Sequence, residues 1–276
     1  MKVKNGIEIH DEQLLEVFTE MYGEPLGYGI TAIVYEQGDV VVKVFYPKYG
    51  KNMAFKEAHM LAVAESGKLQ APRILSVSEN QGYWELRMTR VKGESLLKLI
   101  LDALTAHNVE RAGQLTRQLA DIHVEINSKD GTGLADSKNV IRAKILEHDV
   151  LTGEEKERAI AYLERLEGGN ALCHGDFHAN QIMMQEDDSY RVIDFADIGC
   201  GNPAGDVALT WLNLSTPPAP LRELFGQIDL PGIYLDEYLA KSGMSREEVE
   251  AWIRVQAAAF LSVAPPYREE LGKYLP

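Results

Sequence analysis

Residues Leu172–Gly199 read LCHGDFHANQIMMQEDDSYRVIDFADIG. Apolar runs flank two clusters of polar groups. His174, Asp176 and His178 fall within five residues, and Asp194 follows the strand-like run Tyr190-Arg191-Val192-Ile193. Carboxylates at the ends of short buried strands are costly unless they bind a metal, take part in catalysis or are well hydrogen-bonded. Taken alone, an HxD triplet reads as polar loop residues between two strands. His174-x-Asp176 has the spacing of a facial-triad iron site, but that site needs a further distal histidine and none follows His178. A zinc hydrolase wants more imidazoles in reach, and His10, His59, His107, His123 and His148 form no spaced cluster.

Upstream of this stretch the pattern is mixed. Leu14, Leu15, Val17, Phe18 and Met21 sit at helical spacing within residues 11–22. Two β-branched and aromatic runs, about 30–36 and 40–46, flank Gln37-Gly38-Asp39 and predict a hairpin. Residues 51–66 predict a helix that stops at Gly67. Strands are expected at about 73–79 and 82–90, with Asn80-Gln81-Gly82 between them. After Val91-Lys92-Gly93 the pattern turns helical, at about 94–106, 109–127, 139–148 and 154–166. A β-rich island at 171–194 interrupts it, and helices resume near Pro203. The expected fold class is α+β and bilobal, with a small β-rich lobe over residues 1–91 and a larger helical lobe over 92–276.

CHGDFHANQIM followed by VIDFADIG resembles the catalytic and metal loops of the aminoglycoside phosphotransferase and choline kinase-like family, which has a protein-kinase-like fold. GYGITAIVYE, VVKVF, FKEAHML, the Met88–Gly93 stretch, LADIH and GNPAGDVALTWL follow in the family's order, so the resemblance covers nearly the whole chain. It implies an ATP-dependent phosphotransferase, with GTP as the alternative donor, that uses Mg2+ and a hydroxyl acceptor. Asp176 then matches the catalytic base, and His174 and His178 match residues that brace its loop. Asp194 matches the metal-binding aspartate, with Phe195 packed beneath it. Most relatives carry asparagine five residues after the base; here that position is Gln181, with Asn180 one residue early. The resemblance assigns the second metal contact to Gln181, with Asn180 as the alternative.

Lys43 on a strand and Glu57 on the following helix match the pair that positions nucleotide phosphates. Gly29 and Thr31 fall where backbone amides and a hydroxyl would meet phosphate oxygens, beside Gly27. Thr89 to Val91 match the hinge whose backbone binds adenine, with Met88 behind the base. Asp206 opens a helix, where the macrodipole favours an acid; in the family the matching aspartate braces the catalytic loop. Nothing near Cys173 or Cys200 suggests an activated thiol.

The composition sets wider bounds. The chain has 276 residues, 45% of them hydrophobic and 25% charged, as in ordinary globular proteins. With 42 acidic and 28 basic residues its net charge is −14, which argues against nucleic acid as a partner. No apolar run is long enough for a membrane span and the N-terminus lacks a signal-peptide core, so a cytoplasmic location is expected. Two cysteines fit a reducing compartment. Asp206 lies only 12 positions after Asp194, which leaves no room for the activation segment on which protein kinases dock peptides. The expected acceptor is therefore a small hydroxyl compound. The acidic charge favours one bearing amines, such as an aminoglycoside, with Asp197, Asp229, Asp236 and Glu237 as candidate contacts. A neutral sugar or metabolite, a catalytically silent nucleotide-binding protein and a protein-directed kinase are the alternatives. The oligomeric state is left open.

Overall fold

The computed structural model describes residues 12–276, preceded by two short paired strands, β1 (Lys2–Lys4) and β2 (Ile7–Ile9). His10, one of the histidines weighed above, lies outside the described residues. The chain divides into two compact units. The first comprises Met1–Gly93 and Met183–Ala196; the second comprises Glu94–Ile182 and Asp197–Pro276. The sequence places one break at 91/92, whereas here the stretch carrying Asp194 joins the first unit. The reason is local pairing: Val192 N–H donates to Gln70 O at 2.7 Å, and Arg191 bonds the Gln70 side chain.

In the first unit α1 (Glu12–Tyr22) precedes β3 (Gly27–Tyr28), β4 (Ala32–Gln37) and β5 (Val40–Phe45). Helix α2 (Gly50–Ser66) follows, then β6 (Ile74–Asn80) and β7 (Tyr83–Thr89). The five strands form an antiparallel sheet in the order β3-β4-β5-β7-β6. The β4–β5 turn is Gly38-Asp39, one residue tighter than expected, because Gln37 pairs with Val40 and Gly38 supplies φ +63°. Val42 and Val44 pack with Leu14, Phe18, Ile33 and Tyr35 in a fully buried cluster. Strand alternation then turns Lys43 to the other face of the sheet, where α2 lies.

The second unit is mainly helical: α3 (Leu96–Thr105), α4 (Val109–Asn127), α5 (Ser137–Glu147), α6 (Gly153–Arg165), α7 (Pro203–Ser215), α8 (Arg222–Phe225), α9 (Leu230–Ser242), α10 (Arg246–Phe260) and α11 (Arg268–Gly272). All but the short α8 and α11 start on a side-chain cap. Ser95 accepts from Lys98 N–H, Asn202 accepts from Ala204 N–H ahead of Pro203, and Thr152 forms a capping box with Glu155. Strand Ala171–Cys173 pairs antiparallel with Gly199–Gly201 and leads into the His174–Gln181 loop. No helix among the described residues is long and apolar enough to cross a membrane.

Candidate active site

In the first unit Lys43 Nζ lies 2.6 Å from Glu57 Oε2 and 3.7 Å from Asp194 Oδ1. Glu57 is 5% exposed, so its charge needs a partner. Burial disfavours the Lys43 ammonium, but the Asp194 and Glu57 carboxylates outweigh it and raise its pKa above the usual lysine value. Asp194 has φ +64°, a left-handed conformation that a non-glycine residue adopts only when its surroundings impose it. Its neighbour Phe195 is buried.

Lys43, Glu57 and Asp194 help line a cavity of about 230 Å³. Leu26, Val34, Val41, Met88, Met183 and Ile193 give it apolar walls, and Thr89 and Val91 also line it. Thr89 N–H donates to Arg73 O and Arg90 N–H to Asp39 O, both at 2.9 Å. The expected hinge donors Thr89 and Arg90 are thus already used; Val91 N–H alone of the three meets no protein acceptor among the described residues. Gly29 and Thr31 do not line this cavity. Gly29 N–H closes the β3–β4 turn on Ala32 O at 2.8 Å, so that amide is not directed at a ligand. The apolar residues Met183 and Ile193 escaped the sequence reading, since only the pairing of 183–196 into this unit brings them to the cavity.

In the second unit Asp176 stands half-exposed, with Gln181 Nε2 3.4 Å and His178 Nε2 3.8 Å from its Oδ2. Gln181 is buried, and its Oε1 accepts no hydrogen bond among the described residues. Asn180, the alternative at this point, is exposed. In the second unit Gln181 offers a neutral amide oxygen without a donor, and in the first Asp194 offers a half-exposed carboxylate; each is the kind of oxygen ligand that a hard cation such as Mg2+ takes. The residues present therefore fit that ion.

The loop is held from below. Asp206, 4% exposed in the first turn of α7, accepts from His174 N–H at 2.6 Å and Gly175 N–H at 2.9 Å. His123 Nε2 donates to Asp206 Oδ2 at 2.9 Å, and Asn127 Nδ2 lies 3.1 Å from the same oxygen. Tyr234 and Tyr238 hydroxyls complete the network, at 2.6 Å from His123 Nδ1 and 2.9 Å from Asn127 Oδ1. Burial alone raises the Asp206 pKa, but the His123 ring outweighs it, and the carboxyl falls to about 2. His123 thus has a partner that sequence spacing did not reveal; its signal was the apolar LADIH helix around a single histidine. Gly175 has φ +82°, and a Cβ there would stand 2.2 Å from Asp197 O. Burial raises the Cys173 thiol pKa, in keeping with an inert thiol.

Three of the four acidic residues expected to meet an amine have partners within the protein. Asp229 caps α9, accepting from Gly232 N–H at 3.0 Å. Asp236 pairs with Arg246, and Glu237 lies 3.2 Å from Lys241 and 3.7 Å from Arg117. Asp197 is exposed.

The model of the phosphotransferase enzyme family matches residues 31–240. Among solved structures, the chain is similar to aminoglycoside-3'-phosphotransferase of type VIII, at 19% identity over 86% of this chain and 92% of that one, with TM-score 0.59. It is similar to aminoglycoside phosphotransferase APH(3'')-Id from Streptomyces rimosus, at 16% identity, 90% and 98% coverage and TM-score 0.63. That protein is also solved with ADP and streptomycin. Choline kinase LicA from Streptococcus pneumoniae aligns at 12% identity, 95% and 92% coverage and TM-score 0.62. At such identities these likenesses establish the α+β, protein-kinase-like fold. No curated protein matches the chain by sequence.

Proposed function

The chain belongs to the phosphotransferase enzyme family, and we propose that it transfers the γ-phosphate of ATP to a hydroxyl of a small molecule. The observation that carries this is the Lys43 ammonium held between Glu57 and Asp194 in the lining of a mainly apolar cavity. Such a cavity suits a purine, with Val91 N–H as donor, and the lysine suits the phosphates. ADP bound to the Streptomyces rimosus relative supports adenine as the base.

Asp176 is assigned the general base. The acceptor oxygen attacks the γ-phosphorus, the bond from that phosphorus to the β–γ bridging oxygen breaks, ADP leaves, and Asp176 takes the hydroxyl proton. Asp194 and Gln181 are the assigned ligands of Mg2+, which when bound neutralises phosphate charge. Lys43 orients the phosphates, and Glu57 fixes the Lys43 rotamer. Asp206, with His123, sets the backbone of the loop that presents Asp176. Gln181 in place of asparagine also fits a silent nucleotide-binding protein, and one experiment separates the two readings. ATP turnover is followed by coupled ADP release against a panel of hydroxyl compounds, with nucleotide binding measured by calorimetry. Magnesium-dependent ATP binding with acceptor-dependent turnover is expected; binding without turnover of any acceptor selects the silent reading.

A further inference from the structure

A serine or threonine inside a helix can turn its hydroxyl back onto the carbonyl four residues earlier. Thr105, Thr116 and Ser215 do so, donating to Leu101 O, Ala112 O and Trp211 O at 2.8, 2.9 and 2.8 Å. Thr210, midway along α7, does not. Its hydroxyl leaves the helix and donates to Phe177 O at 2.7 Å, while Asp206 O, four residues earlier, lies at 3.4 Å. A hydroxyl has one proton, and the shorter bond takes it. Thr210 and Phe177 are both fully buried. The Phe177 ring packs against His123 and His174, at centroid distances of 4.3 and 5.5 Å.

Phe177 directly follows Asp176, so Asp176 lies between two tethers from one helix. Upstream, Asp206 accepts from His174 N–H and Gly175 N–H. Downstream, Thr210 holds Phe177 O. The two anchors stand one turn apart on α7, about 6 Å along its axis. An aspartate has only two side-chain torsions, so the loop backbone sets where its carboxylate can reach. The upstream tether alone leaves the chain free to pivot beyond Gly175.

We propose that Thr210 is a positioning residue for phosphotransfer: by holding Phe177 O it sets the distance from the Asp176 carboxylate to the acceptor hydroxyl. This rests on the reading of Asp176 as the base. A base must stand about 2.6–3.2 Å from the oxygen whose proton it takes. A misplacement of about 1 Å can cost about a hundredfold in rate.

The test compares the whole chain with four variants. Thr210→Val removes the donor and keeps the branched shape, and Thr210→Ala removes it without a second methyl. Thr210→Ser keeps the donor. Thr116→Val is the control, since Thr116 is equally buried and its hydroxyl bonds within α4. Turnover is followed by coupled ADP release with water, kanamycin, choline and glucose as probes, at saturating ATP and magnesium. Exchange of the amides of residues 174–181 is followed by deuterium uptake and mass spectrometry. Thr210→Val and Thr210→Ala are expected to lower kcat by about tenfold to a hundredfold, with the KM for ATP unchanged. They are also expected to speed exchange in 174–181. Thr210→Ser is expected to stay within about threefold of the parent, and Thr116→Val to keep its kcat while losing stability. A purely structural role would lower the melting temperature of both valine variants and leave the kcat of the folded chain alone. A kcat within about twofold of the parent in Thr210→Val and Thr210→Ala, or an equal loss in Thr210→Ser, overturns the inference. A parent that turns over no probe sinks the phosphotransfer reading and leaves exchange to decide the tether: faster uptake at 174–181 in Thr210→Val keeps it, and unchanged uptake overturns it.

Discussion

The Asp206 carboxylate accepts the main-chain N–H of His174 at 2.6 Å, across 32 residues of sequence. A buried acid at the start of α7 thereby fixes the loop that carries Asp176 two residues later. Its pKa is lowered from 3.8 to about 2, so folding is favoured by its ionised form. This contribution, on the order of 2 kcal/mol, is fully present above about pH 4 and is lost as pH falls toward 2. Asp206→Asn is expected to destabilise the chain by about 2 kcal/mol at pH 7 and to flatten the acid limb of stability against pH. Urea unfolding at a series of pH values measures both; an unchanged acid limb would assign the linkage to other groups.

Asp176→Asn is expected to nearly abolish transfer while leaving ATP affinity unchanged. The amide keeps the shape of the side chain and cannot take the proton. Coupled ADP release gives the turnover and calorimetry the affinity. Turnover within about tenfold of the parent, or roughly 1.4 kcal/mol of barrier, would show that Asp176 is not the base.

Asp194→Ala is expected to remove the magnesium dependence of ATP binding, and Gln181→Ala to weaken it less. Asp194 brings a full negative charge to the ion and Gln181 a neutral carbonyl oxygen. A magnesium titration of ATP affinity ranks the two variants. Equal losses would contradict the charge argument, and an intact dependence in Asp194→Ala would remove the metal assignment.

Lys43→Met is expected to weaken ATP binding and also to lower stability. The ammonium is the 2.6 Å partner of Glu57, and stranding that buried carboxylate costs about 3–5 kcal/mol. Lys43→Met with Glu57→Leu is expected to recover most of the stability and none of the ATP affinity, since an apolar pair fills the same space. Thermal melts and ATP titrations of the single and double variants form the cycle. Additive losses of stability would show that the two residues are not coupled.

Much of this was legible in residue order. β-branched and aromatic runs announced β4 and β5, turn residues marked the hairpin between them, and Gly67 marked the end of α2, because these signals act over a few residues. The HGD and DFAD clusters stood out because charged groups between apolar strands demand a reason. Lys43 was ambiguous on its strand; that α2 presents Glu57 to it depends on how helix and sheet pack. His123 looked isolated because its partner, Asp206, lies 83 residues away. The hinge amides could be assigned only once Arg73 and Asp39 were seen to occupy two of them. Net charge suggested an amine-bearing acceptor, and of the four candidate carboxylates Asp229 caps α9 while Asp236 and Glu237 pair with Arg246, Lys241 and Arg117. Local pattern is enough to determine elements and motifs, since it needs only neighbours in the chain. Which polar groups remain available to a ligand is decided by tertiary contacts, because each distant partner removes a donor, an acceptor or a charge from the supply.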